Sequence, residues 1–176
     1  MTRAWEELLD QARADALVGE RVRERWLGQQ AAASATLVGA LLDLAESGAG
    51  VTIGVRGGRR HDGTIAALGT DVLVLAERGA QVAVPLPALK TVRPLPGGGS
   101  GVATGDRPAA LDLTFGEIVA RIAADRPDGW ICLGDGETLS GVVLAVGVDV
   151  LSLRVAPGAD GIAYVSMSAV SSIRLG

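Results

Sequence analysis

One segment of this chain is written twice, and no other feature restricts the possible folds as strongly. Residues 51–94 read VTIGVRGGRRHDGTIAALGTDVLVLAERGAQVAVPLPALKTVRP, and residues 129–175 read GWICLGDGETLSGVVLAVGVDVLSLRVAPGADGIAYVSMSAVSSIRL. Gly63 matches Gly141, and the turn Gly69-Thr70-Asp71-Val72 matches Gly147-Val148-Asp149-Val150, both at an offset of 78. Toward the end Ala88 matches Ala169 and Arg93 matches Arg174 at an offset of 81. The three extra residues fall between Ala156 and Gly161, opposite Glu77-Arg78-Gly79, where a hairpin tip absorbs an insertion cheaply.

Each copy reads as short strands separated by tight turns. Val51, Ile53 and Val55 alternate with Thr52 and Gly54, the period-two pattern of a half-buried strand. Gly57-Gly58 turns the chain into a second strand from Arg60 to Leu68, with Gly63 marking a bulge or sharp bend. Val72–Leu75 and Gln81–Val84 follow as third and fourth strands. Pro85 and Pro87 cannot donate ladder bonds and predict a single helical turn before a fifth strand at Leu89–Arg93. Asp71 and Asp149 read as turn-capping carboxylates.

A helix precedes each copy. Ser34 or Thr36 can cap TLVGALLDLAESG, with Gly48 past its end. Thr114 and Glu117 form a capping box in TFGE ahead of Ile118, Val119 and Ile122. Residues 2–31 read as a further helix carrying both charge signs, with Trp5 and Trp26 on its apolar stripe. The expected fold is α+β and mainly β: an N-terminal helical segment over 1–33, then two small helix-plus-five-strand barrels, SH3-like or Sm-like, over 34–95 and 111–176. A glycine- and proline-rich linker at 96–110 separates them. Trp130 is expected to fill the gap between helix and barrel.

The residues just quoted resemble the Sm-like family, and within it the bacterial RNA chaperone Hfq. The likeness rests on VTIGV, on Gly63, on DVLVL from Asp71 to Leu75, and on VPLPALKTVRP from Val84 to Pro94. It covers about 45 residues in each copy, and it is similar too to actinobacterial proteins that join an alanine-rich helical start to such a barrel. The resemblance implies an RNA pocket built from a Lys-His turn and a Gln-Phe pair. Here the first positions hold Leu86 and Pro87, then Met167 and Ser168; the second hold Thr70 and Asp71, then Val148 and Asp149. No ring is left there on which a base could stack.

Composition narrows the function classes. Aromatic residues are 3% of the chain while apolar ones reach 48%, so the core must be Val, Leu and Ala, and the two copies need each other's surface. A net charge of −4 argues against broad phosphate-backbone binding. A single cysteine, Cys132, excludes an internal disulfide and a multi-cysteine metal cluster. MTRAWEELLDQ has no apolar signal core, and no apolar run reaches transmembrane length, so a cytoplasmic protein without a membrane partner is expected.

Two kinds of candidate site remain. Arg56, Arg59, Arg60 and His61 crowd the first hairpin and form the one basic cluster, a candidate contact for nucleic acid or an acidic partner. The same hairpin in the second copy carries Asp135 and Glu137. His61 is the only histidine, which leaves no ligand set for zinc and no nucleophile–base pair. No catalytic residue, metal or cofactor is expected. Fourth and fifth strands of such barrels are edges, and edges pair or must be blunted. Val82, Val84, Val165 and Ile173 lie on them, so these and the two tryptophans are candidate interface residues. The expected function is an assembly or adaptor module whose copies pair with each other, within one chain or between chains, or with a protein partner. The alternative is RNA or DNA binding through the basic hairpin.

Overall fold

The computed structural model describes residues 19–30, 32–97, 110–125, 128–155 and 161–175. Trp5 and nearly all of the expected linker lie outside them. A helix runs over 19–30 (α1), and two shorter ones, α2 (Leu37–Glu46) and α3 (Phe115–Ala123), each precede a run of five strands. The first run is β1 (Gly50–Val55), β2 (Arg60–Leu68), β3 (Val72–Glu77), β4 (Ala80–Pro85) and β5 (Leu89–Pro94). The second is β6 (Asp128–Leu133), β7 (Thr138–Val146), β8 (Val150–Val155), β9 (Ile162–Ser166) and β10 (Val170–Leu175). No described helix is long and apolar enough to cross a membrane.

The duplication survives in backbone detail. Gly63 and Gly141 sit at the same place in β2 and β7, and a Cβ at either would run into a backbone carbonyl oxygen, that of Ala76 or Arg154. The next irregularity repeats as well: the β2–β3 register shifts between Ile65 and Ala67, and the β7–β8 register between Val143 and Ala145. Such bulges sharpen the bend of a long strand, which lets one strand serve both ends of a small curved sheet. The single helical turn predicted at Pro85 and Pro87 is present at Leu86–Ala88, and the second repeat makes the same turn without prolines at Met167–Ala169.

The helix starts are set by local chemistry. Thr36 accepts from Gly39 N at 3.0 Å and so caps α2, and Gly48 follows the helix at φ +63°. Thr114 caps α3 in a full capping box with Glu117. The Thr114 amide and hydroxyl both bond the Glu117 carboxylate and hold its pKa below the usual value.

The expectation of two separate barrels is corrected by the strand order. All ten strands form one open antiparallel sheet in the order β5-β1-β2-β3-β4-β10-β6-β7-β8-β9. The repeats meet where β4 pairs with β10, with Ala83 opposite Ile173 and Val82 opposite Arg174. The fourth strand of repeat one is therefore no edge, and neither is the fifth strand of repeat two. The free edges are β5 and β9. The reason is physical: the backbone groups along β4 are a row of donors and acceptors, and β10 satisfies them within the same chain.

The apolar residues divide into two clusters that follow this junction. Leu41, Val51, Ile53, Leu73, Leu75, Val82 and Val84 form the interior of repeat one. The second cluster joins Ile131, Val143, Leu151, Leu153 and Ile173 to α3, but it also takes in Val72, Val74 and Ala83 from the outer face of repeat one. Helix α3 thus packs across the junction, on β7 and on β4. The segment leading into it is bonded to repeat one: Leu111 N–H donates to Leu68 O at 3.0 Å, and Thr70 N–H donates to Leu113 O at 2.9 Å. At about 1.5–3 kcal/mol per fully buried aliphatic side chain, this shared cluster makes the halves interdependent.

Candidate functional site at the inter-repeat junction

The basic hairpin is drawn into the junction. The turn Arg56–Gly58 lies against β6, with Gly57 at φ +80°, and a Cβ there would approach Leu133 O to 2.6 Å. Only glycine lets the two backbones meet this closely. Arg56 donates from Nη2 to Ser168 O at 3.2 Å, while its Nε is buried without a hydrogen-bond partner. Arg59 donates to Thr138 Oγ1 at 3.2 Å. Arg60 is exposed. The basic tip and the acidic tip bearing Asp135 and Glu137 therefore face each other within one chain, at Gly57 and Gly136.

His61 goes further inside and is buried. Its Nδ1 lies 3.1 Å from Glu77 Oε1 and its Nε2 lies 3.1 Å from Ser172 Oγ. A carboxylate only accepts, so the neutral ring carries its hydrogen on Nδ1 and Ser172 O–H donates to Nε2. Arg174 adds a contact to Glu77 Oε2 at 3.7 Å and stacks over Trp130, 5.9 Å from the ring centre. Burial lowers the His61 pKa, and Glu77 offsets part of that by favouring the charged ring; Arg59 and Arg174 oppose it. Carboxylate, imidazole and hydroxyl stand here in the order of a hydrolase triad. Yet Ser172 is 1% exposed, so no substrate carbonyl can reach its oxygen. The arrangement joins β2 and β3 of repeat one to β10 of repeat two.

A cleft of about 540 Å³ opens beside the junction, lined by Arg56, Asp71, Pro87, Val148, Met167 and Ser168 among others. These include positions that, by the Sm-like resemblance, would hold RNA, and the fold does bring the two repeats' sets together. Their chemistry is different. Asp71 is occupied: its carboxylate accepts from Phe115 N–H at 2.6 Å, and its carbonyl accepts from Leu86 N–H at 2.7 Å. Its carboxylate caps a helix start 44 residues along the chain. Phe115, the aromatic ring of this cleft, is buried in the second cluster.

The other sequence-derived candidates fall in three places. Val82 and Ile173 are fully buried at the β4–β10 pairing, and Val84 and Val165 are buried in the two cores. Trp26 is exposed on α1. Trp130 does not fill a gap under a helix; it is 46% exposed and faces Arg174. Cys132 is a buried free thiol. Among the described residues no group of three or more His, Cys, Asp or Glu side chains is placed to hold a metal ion. Asp71 read from the sequence only as a turn residue, and Glu77 and Ser172 were not singled out, since no local signal marks them. Ser172 lies 111 positions from the histidine it bonds.

No family model, no curated protein and no solved structure matches this chain.

Proposed function

We propose that this protein is a non-catalytic assembly module: two tandem repeats, each on an Sm-like plan of one helix and five bent strands, that associate through the edges of their sheets. The observation that carries the reading is the β4–β10 pairing. It is an edge-to-edge join between two repeats, reinforced by a helix lying across it and by a buried polar cluster beneath it. A chain that joins its own halves in this way, and leaves one strand open at each end, has the form of a unit for further joining. Recognition of RNA or DNA through the first hairpin has less support, because Arg56, Arg59 and His61 are engaged with repeat two.

Sedimentation equilibrium over a wide concentration range, with and without a mixed-sequence RNA, tests the reading. Self-association or complex formation that is indifferent to RNA and survives moderate salt is the expected result. A strict monomer that changes mass only when RNA is added would overturn it in favour of the nucleic-acid reading.

A further inference from the structure

The inner junction shows what covers a fourth strand, and the repeat then says what is missing from the outer one. Repeat two has the same parts as repeat one, but β9 has no strand beyond it, and β5 has none beyond it at the other end. The offsets fix the counterparts. Ala83 corresponds to Tyr164, Ile173 to Val92, Phe115 to Leu37, Asp71 to Asp149 and Thr70 to Val148.

The residues that are buried at the inner junction are open at the outer ends. Ala83 is 3% exposed and Tyr164 is 74% exposed; Phe115 is 4% exposed and Leu37 is 49% exposed. Val148 and Ile162 are exposed as well, but so are their inner counterparts Thr70 and Gln81, and the contrast rests on Tyr164 and Leu37. Large apolar side chains left open at both ends of one sheet, at positions that are covered where the sheet continues, mark a surface made for a partner.

Resting on the assembly reading, we infer that this partner is a second copy of the chain, which places β5 antiparallel to β9 in the register of the inner junction. Tyr164 then stands opposite Val92 of the next copy, and Ala163 opposite Arg93. Helix α2 of that next copy lies over β9 as α3 lies over β4. Its first amide, Leu37 N–H, reaches the Asp149 carboxylate as Phe115 N–H reaches Asp71. The side chains at the outer edges change in opposite senses relative to the inner junction. The sheet gains a ring where Ala83 becomes Tyr164; the other side gives up a ring where Phe115 becomes Leu37, and a methylene where Ile173 becomes Val92. A partner of unrelated sequence has no reason to match that exchange. The contact is head-to-tail, so repetition either closes a ring or propagates.

A mixture of two single-cysteine chains, each with Cys132→Ser and one introduced cysteine, tests the register. Val92→Cys in one and Tyr164→Cys in the other are oxidised together and read by non-reducing mass spectrometry. The two positions lie at opposite ends of the ten-strand sheet, so any bond between them joins different molecules. Expected is a heterodisulfide that forms at least tenfold faster than with Ile162→Cys, whose counterpart Gln81 stands two residues away opposite Leu175. In parallel, Tyr164→Lys with Leu37→Lys should raise the self-dissociation constant at least tenfold while leaving unchanged the unfolding midpoint measured at concentrations where the parent is monomeric. A self-associating protein that shows no preference for the Val92–Tyr164 pair overturns this pairing but leaves assembly standing. A monomer at every concentration overturns both.

Discussion

Ala83 and Tyr164 occupy one position of a duplicated strand, and they differ widely in environment, 3% against 74% exposed. Ala83 lies on β4 between β3 and β10, under helix α3. Tyr164 lies on β9, paired on one side only. The strands have the same length to within one residue, the same partner on the inner side and the same single helical turn after them. The difference teaches that burial here is a property of the neighbour rather than of the strand. The polar cluster at the inner junction makes the same point. Its counterparts of His61 and Glu77 are Leu139 and Val155, so only the inner junction has a histidine to connect the repeats. The two repeats present equivalent edges, of which one is closed as a seam and the other is open and apolar.

The comparison breaks most visibly if a charge is placed at both positions. Ala83→Lys buries an ammonium in the second cluster without a partner and should cost about 3–5 kcal/mol or prevent folding. Tyr164→Lys should change monomer stability by no more than about 0.5 kcal/mol, the range for open surface positions. Urea unfolding of both variants measures it, and equal losses would mean that β9 is covered in the isolated chain.

A second pair asks where the repeats should behave alike. Gly63→Ala and Gly141→Ala each drive a methyl into a carbonyl of the adjacent strand. Each should cost about 1–3 kcal/mol, the range for overpacking a closed site. Because that contact lies wholly inside a repeat, the two losses should agree. A loss in one repeat alone would show that its sheet relaxes where the other cannot.

The last comparison is at His61. Replacing it by leucine, the residue of repeat two, leaves the Ser172 hydroxyl and one Glu77 oxygen without their partner and should cost about 1–3 kcal/mol at neutral pH. The sign of the pH dependence follows from its lowered pKa. Below the ordinary value of 6.5 the unfolded chain takes up the proton before the folded one does. The histidine therefore withdraws stability as the pH falls through that region, and its contribution no longer changes with pH well above it. Thermal unfolding of the parent minus that of His61→Leu, followed from neutral to mildly acidic pH, should show the difference shrinking. A difference that grows on acidification would mean that Glu77 outweighs burial.

Much of the fold was legible in the chain because it rests on short-range constraints. Alternation in Val51–Val55, the prolines at 85 and 87, and the Thr114–Glu117 box each act within a few residues, and each element formed where those signals placed it. The repeat located the two glycines of the bent strands, while the register shifts fall a few residues beyond them, at Ile65–Ala67 and Val143–Ala145. The candidate site was legible only in part. The cluster Arg56 to His61 was visible as a group, but its role was not, since charge patterning cannot tell a solvated tip from one held against the other repeat. Asp71 looked like a turn residue because the helix start it also caps lies far along the chain.

Sequence alone determined that this protein has two like halves, and within each half it determined the strands, turns and helix caps, because hydrogen bonding and steric exclusion over neighbouring residues leave few choices. Tertiary structure decided which edges meet. Four strands were equivalent candidates by pattern, and pairing energy is the same for any of them. The choice of β4 with β10 came from what gathers around that join, namely α3 across its outer face and the His61, Glu77 and Ser172 contacts beneath it, groups that come together only once the chain is folded.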